Sequence, residues 1–306
     1  MNSPPRVGGT PVEEVLRRLE LEVSRRLDGL LQGDYRGLVP GHGSEPGDAR
    51  AYVEGDDVRR IDWNVTARMA QPHVRDTVAD RELEAWLLVD RSASLDFGTA
   101  SCEKRDLALA AAAAVGFATL RGGNRIGAVI AAGDRITSIP ARSGRVNLLA
   151  LLHRLAEGDT AEGAADLEAA LRRLGATTTR RGLVVVVSDF LAPEGWERPM
   201  RALGGRHDVL AVEVVDPREL ELPSVGVLDL VDPETGRRRE IQTSSPKLQA
   251  RYAEAAARQR AAIGKAIRSA GADHLVLRTD RDWLLDLVRF VTLRRARIQT
   301  IRRAAP

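Results

Sequence analysis

The sequence is poor in cysteine, lysine and aromatic residues. Its 306 residues include one cysteine, Cys102, which excludes an internal disulfide and a thiolate metal cluster. Aromatic residues make up only 4% of the chain, so few rings are available for nucleotide bases to stack on. The 46 basic residues, only three of them lysine, are nearly balanced by 43 acidic ones, and the net charge is +3. A nucleic-acid partner is therefore not expected.

Long apolar runs are also absent. No run reaches the roughly 18 residues that a membrane helix needs, and the first residues lack the apolar centre of a signal peptide. We therefore expect a soluble, cytoplasmic protein. The densest basic cluster lies near the C-terminus and contains Arg294, Arg295, Arg297, Arg302 and Arg303. It could give a peripheral contact with an anionic membrane surface, although such clusters more often form the solvated face of a helix.

Common catalytic motifs are missing. The chain has no Walker A loop, no HExxH and no GxSxG, and its five histidines are scattered. We therefore expect a protein that is not an enzyme.

The pattern of apolar residues predicts an α/β fold. From residue 84 onwards, short apolar runs typical of strands alternate with amphipathic segments typical of helices. This alternation predicts a doubly wound, mainly parallel sheet with helices on both faces. We place this domain at residues 81–306, with a hairpin near 225–244. Residues 1–80 are predicted to form an N-terminal extension, a helix followed by a segment rich in Gly, Arg and Asp.

Polar residues follow two of the predicted strands. The segment LLVDRSASLDFG, residues 87–98, places Asp90, Ser92 and Ser94 directly after an apolar run, and Asp189 ends the run LVVVVSD. Ligands of such sheets gather at the carboxyl ends of the strands. Carboxylate and hydroxyl oxygens there favour Mg²⁺ or another divalent cation. The alternative is that these residues only cap helices.

The spacing Asp90-x-Ser92-x-Ser94 resembles the metal-ion-dependent adhesion site of von Willebrand factor A domains. The resemblance implies two further ligands, a threonine from a loop between helices and an aspartate from a later strand. By the order of the motifs these are Thr160 and Asp189. The segment GDTAEGAADL is longer than the compact Gly-Thr-Asp-Leu of that family, and Asp166-Leu167 matches the last part of it.

A second segment, ARAYVEGDDVRRIDWNVTAR at residues 49–68, resembles the signature of the bacterial domain-of-unknown-function family 58 (DUF58). These proteins carry a von Willebrand A-like domain after the signature. The resemblance implies a MoxR-type AAA+ ATPase as partner and no enzymatic activity. The expected function is a Mg²⁺-dependent protein-interaction module, an adaptor or co-chaperone that presents an unidentified client to the ATPase.

The signature segment alternates charges around an aromatic residue. Paired charges could hold this segment against the domain, with the tryptophan as an apolar anchor, and this structural role is the more common one. Recognition of a partner is the functional alternative, because Trp and Arg are frequent in interface hot spots. The residues concerned are Asp56, Asp57, Arg59, Arg60, Asp62, Trp63 and Arg68.

A Mg²⁺-dependent phosphatase or phosphotransferase of the haloacid dehalogenase type is the rival function. Such an enzyme also begins from an aspartate at a strand end, but it needs a second aspartate where this chain has Ser92. It also needs a lysine beside the phosphoryl group. The three lysines, Lys104, Lys247 and Lys265, all fall in predicted helices, so none is expected at a strand end.

Overall fold

The computed structural model describes residues 4–5, 11–30, 49–53, 58, 61–69, 71–75, 83–121, 123–157, 163–231 and 237–304. The chain forms two compact units, one made of Met1–Pro40 with Leu83–Pro306 and the other of Gly41–Glu82. This division differs from the predicted boundary after residue 80. The first helix belongs to the same unit as the large sheet, and only the signature segment is separate.

The elements follow one another in the predicted alternation. Along the chain they are α1 (Val12–Leu30), β1 (Ala49–Ala51), α2 (Trp63–Met69), β2 (His73–Arg75), β3 (Glu84–Asp90), α3 (Lys104–Arg121), β4 (Arg125–Ala132), β5 (Arg135–Arg142), α4 (Arg145–Glu157), α5 (Leu167–Thr177), β6 (Leu183–Ser188), α6 (Glu197–Gly204), β7 (Asp208–Val215), β8 (Val227–Val231), β9 (Arg238–Gln242), α7 (Pro246–Ser269), β10 (Asp273–Arg278) and α8 (Trp283–Ala304). Short 3-10 turns follow β3 at Ala93–Asp96 and β7 at Pro217–Glu219.

The large unit is built on a six-stranded sheet with the order β10-β7-β6-β3-β4-β5. Every neighbouring pair is parallel except β4 and β5, which form an antiparallel hairpin at one edge. The predicted mainly parallel α/β fold is therefore confirmed. The central strand β6, LVVVVS, is buried along its whole length, as expected for a parallel strand covered on both faces.

Alternate residues of each strand face two separate hydrophobic layers. In β3, Leu87 and Val89 point into a layer shared with α1, α3, α4 and α8, whereas Trp86 and Leu88 point into a layer shared with α5, α6 and α7. This follows from the two-residue period of a strand. The helices thus cover both faces of the sheet, and they leave the carboxyl ends of the strands to their connecting loops.

Two two-stranded sheets lie outside the six-stranded sheet. Strands β8 and β9 pair antiparallel, which confirms the predicted hairpin, and its turn at 232–236 lies outside the described residues. In the signature unit, β1 pairs antiparallel with β2, and α2 lies between them in sequence. Among the helices of the described residues, none is long and apolar enough to cross a bilayer.

Candidate metal centre

The candidate site begins at Asp90, the last residue of β3. Because β3 pairs in parallel with β6 and Val89 lies opposite Val187, Asp90 emerges beside Ser188. One carboxylate oxygen of Asp90 accepts a hydrogen bond from the Ser92 backbone N–H at 2.8 Å, and the other accepts one from the Ser188 hydroxyl at 2.6 Å. The Asp90 side chain is therefore fixed by groups from two neighbouring strands.

Ser92, Ser94 and Asp189 form a continuous chain of polar contacts at the same edge. The Ser92 and Ser94 hydroxyl oxygens are 3.0 Å apart, and the Ser94 hydroxyl donates to Asp189 Oδ2 at 2.7 Å. All three residues are buried. The structure thus brings together four of the five predicted ligands, from loops that are about a hundred residues apart in sequence. That they bind a metal ion stays a prediction.

The turn after Asp189 is sharp. Phe190 has a φ of 55°, in the left-handed region that non-glycine residues rarely adopt. Its backbone N–H bonds to the Ser188 hydroxyl at 2.9 Å, and the Leu191 N–H donates to Asp189 Oδ1 at 3.0 Å. A buried ring contact between Phe190 and Trp196, with centroids 5.2 Å apart, stabilises this conformation. The Asp189 carboxylate is thereby held at the sheet edge.

The two carboxylates have opposite pKa shifts. Burial, together with the nearby charge of Asp189, raises the pKa of Asp90 to about 6. Burial alone would also raise the pKa of Asp189, but the ammonium group of Lys104 and several hydrogen bonds lower it below its usual value. Asp189 is therefore an anion paired with the Lys104 ammonium group. The groups that donate hydrogen bonds to Asp90, by contrast, carry no charge.

Lys104 begins helix α3, as the sequence predicts, but its side chain reaches this site at the strand ends. Its side chain is completely buried, and its ammonium group contacts Asp189 Oδ2 at 2.8 Å and the carboxylate of Glu219. Burial would lower the pKa of Lys104, but Asp189 and Glu219 raise it above its usual value. Lys104 is thus a permanent cation within the site.

A further set of charged groups extends from Lys104. Arg260 of α7 donates to Glu219 and to Glu213, both at 2.9 Å, and to the Asp189 carbonyl at 3.0 Å. His274 of β10 contacts the other oxygen of Glu213 at 2.7 Å. We call this group the charge cluster: Lys104, Asp189 and Glu213 are buried, and Glu219, Arg260 and His274 are half-buried.

The charges at this edge favour an additional cation. Among the carboxylates of the described residues at this edge, Asp189, Glu213 and Glu219 are paired with Lys104 or Arg260, whereas Asp90 accepts its hydrogen bonds from uncharged groups. Burial of an unpaired charge is costly. Among the described residues, no group of three or more His, Cys, Asp and Glu side chains is placed to hold a metal ion. An ion would therefore need the Ser92 and Ser94 hydroxyls, and an oxygen-only donor set suits Mg²⁺. The residues present fit such an ion.

The loop between helices that is expected to supply the threonine ligand is only partly described, and Thr160 lies outside the described residues. Asp166 caps α5, because its side chain accepts a hydrogen bond from the Ala169 N–H at 2.8 Å. Asp166 therefore has a structural role at the start of that helix.

Asp216, which follows β7, joins three loops at the same sheet edge. Its carboxylate accepts hydrogen bonds from the Thr99 N–H and hydroxyl at 2.8 and 2.6 Å, and from the Thr279 hydroxyl at 2.7 Å. The Arg218 N–H donates at 2.9 Å. Burial would raise the pKa of Asp216, but these bonds lower it. This carboxylate therefore holds the loops that surround the site.

The signature residues are described only in part. Asp56, Asp57, Arg59 and Arg60 lie outside the described residues. Asp62 caps α2, accepting from the Asn64 N–H at 3.0 Å and the Val65 N–H at 3.2 Å. Trp63 is 71% exposed, and Arg68 is also exposed. That Trp63 anchors the signature segment stays a prediction.

Arg294 does not belong to an exposed basic cluster. It is buried, and its guanidinium contacts the carboxylates of Asp208 and of Asp273, the latter at 2.6 Å. The positive charge of Arg294 is therefore neutralised by these two carboxylates, as a buried guanidinium requires. The structure does not describe the side chains of the other four arginines, which are Arg295, Arg297, Arg302 and Arg303.

Comparison with known proteins identifies the family. The model of the family described as "Protein of unknown function DUF58" matches residues 48–262. This chain belongs to the DUF58 family. The match begins at the signature segment and ends within α7, so it includes both carboxylate-bearing strand ends of the candidate site. The resemblance predicted from residues 49–68 is confirmed.

Relatives of this DUF58 protein occur in mycobacteria. It is 55% identical over 282 residues to "Uncharacterized protein Mb1516" of Mycobacterium bovis, covering 92% of this chain and 89% of the relative. It is 48% identical over 162 residues to "Uncharacterized protein MAV169" of Mycobacterium avium, covering 52% of this chain and 95% of the relative.

Solved structures give more distant similarities. BatB from Bacteroides thetaiotaomicron aligns with 14% identity and a TM-score of 0.44, covering 70% of this chain and 99% of that one. A von Willebrand factor type A protein from Catenulispora acidiphila aligns with 13% identity and a TM-score of 0.38, covering 72% of this chain and 43% of that one. The mainly parallel six-stranded sheet, in the order β10-β7-β6-β3-β4-β5, defines the fold.

Sequence reasoning missed most of the charge cluster. Lys104 begins a helix, Glu219 lies in a turn and Arg260 lies on a long polar helix, so no local pattern connects them. Glu213 did carry a signal, because it interrupts the apolar strand DVLAVEVV and is buried. An acidic residue inside a parallel strand indicates a buried cationic partner.

Proposed function

We propose that this DUF58 protein is a divalent-cation-dependent protein-interaction module that acts as an adaptor or co-chaperone in the cytoplasm. The observation that supports it is the meeting of Asp90, Ser92, Ser94 and Asp189 at one sheet edge, where the buried carboxylate of Asp90 accepts hydrogen bonds from uncharged groups. A hard cation would neutralise the charge of this carboxylate, and hydroxyl and carboxylate oxygens suit Mg²⁺.

Each residue has a distinct role in this proposal. Ser92 and Ser94 hold the ion through their hydroxyl oxygens, and Asp90 supplies the negative charge that has no charged partner among its contacts. Asp189 is another proposed ligand, and it also orients Ser94 by accepting a hydrogen bond from the Ser94 hydroxyl. Thr160 is the proposed further ligand. When bound, the ion offers a coordination position to a carboxylate of the partner.

The proposed partner is a MoxR-type AAA+ ATPase, an expectation taken from the family resemblance. The adaptor would present a protein client to the ATPase. Trp63 supports a role of the signature unit in recognition, because its side chain is largely exposed and large exposed aromatic residues often mark interfaces.

The first test is direct measurement of ion binding. Calorimetric titration of the metal-free protein with Mg²⁺, and separately Mn²⁺, is expected to show one site. Asp90→Asn is expected to lose this site, because it removes the negative charge that has no charged partner. Asp229→Asn, on the exposed part of the β8–β9 hairpin, is the matched control and should bind normally. Equal binding by wild type and Asp90→Asn would contradict the assignment.

The second test concerns the partner. A MoxR-type ATPase from the same organism is captured on immobilised wild-type protein, Asp90→Asn or Asp229→Asn, without nucleotide, in Mg²⁺ or in chelator. We expect retention only by wild type and the control in Mg²⁺. Equal retention by all three proteins in chelator would show that the ion does not form the contact.

One observation favours the enzymatic alternative. Lys104 lies 2.8 Å from Asp189, so the site contains the strand-end aspartate and the lysine that a haloacid dehalogenase-type phosphatase requires. The second aspartate of such enzymes is still replaced by Ser92. Turnover of p-nitrophenyl phosphate in Mg²⁺ that disappears in both Asp90→Asn and Lys104→Met would establish the enzyme and replace the proposed function.

A further inference from the structure

Lys104 occupies a position beside the candidate metal centre that no predicted role explains. It is the first residue of α3, its side chain is fully buried, and its ammonium group is directed at Asp189 Oδ2 from 2.8 Å. The Ser94 hydroxyl donates to that same oxygen from 2.7 Å. A proposed ligand and a built-in cation therefore share one carboxylate oxygen.

The contacts of Asp189 leave little capacity for a metal ion. Oδ2 accepts two hydrogen bonds, from Lys104 and Ser94, and Oδ1 accepts one from the Leu191 N–H at 3.0 Å. An ionised carboxylate has about four acceptor positions in total. In addition, the fixed positive charge of Lys104 repels a second cation, and this repulsion is strong where water is excluded.

Glu219 and Arg260 hold the ammonium group in place. Glu219 contacts Lys104 through one oxygen and Arg260 through the other, at 2.9 Å for the latter pair. Arg260 also binds the Asp189 carbonyl at 3.0 Å. Movement of Lys104 away from Asp189 would therefore disturb a connected set of ion pairs, so the ammonium group stays beside the site.

We propose that Lys104 determines the affinity of the metal centre by competing with the divalent ion for Asp189. This inference rests on the proposed metal site and adds a residue that weakens it. In the free protein the ion is then held weakly, and a carboxylate from a partner strengthens its binding. By reciprocity, the ion strengthens binding of that partner by the same factor.

The test removes the charge of Lys104 and keeps most of its volume. Mn²⁺ is titrated into metal-free wild type, Lys104→Met and Lys265→Met, the last being a lysine-to-methionine control at an exposed position of α7. We expect Lys104→Met to bind Mn²⁺ about 10-fold more tightly or more, and Lys265→Met to match wild type. Mg²⁺ should also raise the melting temperature of Lys104→Met more than that of wild type.

The outcomes separate this inference from the proposed function. Equal Mn²⁺ affinity of wild type and Lys104→Met, or weaker binding by the variant, overturns the role of Lys104 and leaves the metal site standing. Absence of binding in both overturns the metal site and this inference together.

A second variant and a measurement on wild type cover the case in which Lys104→Met does not fold. The variant is Lys104→Gln, which keeps a hydrogen-bond donor near Asp189 without the charge and has the same expected result. The chain has only three lysines, so the ¹⁵N resonance of the buried Lys104 ammonium can be followed in wild type during titration with Mg²⁺. A shift that saturates with the ion supports the competition, and an unmoved resonance at saturating Mg²⁺ overturns it.

Discussion

At the scale of single residues, the ionised carboxylate of Asp90 destabilises the folded protein because it is buried without a charged hydrogen-bond partner. Its side chain is buried, and the groups that donate hydrogen bonds to it, the N–H and hydroxyl of Ser92 and the hydroxyl of Ser188, carry no charge. Its pKa rises from 3.8 to about 6, mainly through burial and then through the charge of Asp189. The folded protein therefore keeps a proton on Asp90 over a pH range in which the unfolded chain has released it.

This shift predicts that Asp90 destabilises the metal-free protein as the pH rises. Below about pH 4 both states are protonated and there is no effect. Between pH 4 and 6 unfolding releases a proton, so the free energy of unfolding falls, and above pH 6 the full cost of about 3 kcal/mol remains. In chelator at pH 7.5, Asp90→Asn should therefore be more stable than wild type by up to this amount.

Urea denaturation from pH 4 to pH 8 measures the effect. The advantage of Asp90→Asn should shrink towards zero at pH 4, and Asp229→Asn should show no such trend. A wild type that is more stable than Asp90→Asn at pH 7.5 in chelator would contradict the burial of an uncompensated carboxylate.

At the scale of elements, the loop between β3 and α3 positions the site from both ends. It begins with Asp90, Ser92 and Ser94 and ends with Lys104, whose N–H bonds to the Phe97 carbonyl at 3.0 Å. Gly98 lies within this loop, where a Cβ would be 2.4 Å from the Cys102 carbonyl oxygen and 2.5 Å from the Glu103 Cα. Both neighbours are backbone atoms, so the start of α3 would have to move.

Gly98→Ala is accordingly expected to destabilise the protein by about 2 kcal/mol or more. Gly175→Ala is the matched control, because its Cβ would meet only the Leu203 Cδ2 at an ordinary 3.6 Å and it lies within α5. That change should be neutral or stabilising by up to about 1 kcal/mol. Denaturation of the two variants in parallel is the measurement, and equal stability would show that the loop adapts freely.

The strands and their polar ends could largely be predicted from the sequence. The run LVVVVS predicted a buried parallel strand, and the rule that ligands gather at carboxyl ends correctly placed Asp90 and Asp189 together. Lys104, Glu219 and Arg260 could not be found in this way. These three residues come together only because the start of α3, a turn and α7 pack against one another in three dimensions. No short sequence motif contains all three, so their contact could not be predicted.

At the scale of the whole molecule, the position of α1 corrects the predicted domain boundary. The sequence showed an amphipathic helix, but a helix in an extension and a helix on the sheet have the same periodicity. The structure places Val15, Leu16, Leu19 and Val23 in the hydrophobic layer shared with α3, α4 and α8. Arg145 of α4 adds a two-pronged contact with Glu20, at 2.8 and 2.7 Å.

This packing predicts that α1 contributes to the stability of the sheet unit. Leu19 is completely buried, so Leu19→Ala should lower the free energy of unfolding by about 2–5 kcal/mol. Leu21, two residues further along the same helix, is 49% exposed, and Leu21→Ala should cost less than about 0.5 kcal/mol. Both variants lose equal side-chain volume and helix propensity changes equally, so their difference isolates burial. If Leu19→Ala costs no more than Leu21→Ala in urea denaturation, α1 is not part of the cooperative sheet unit, and the predicted boundary at residue 80 is the better one.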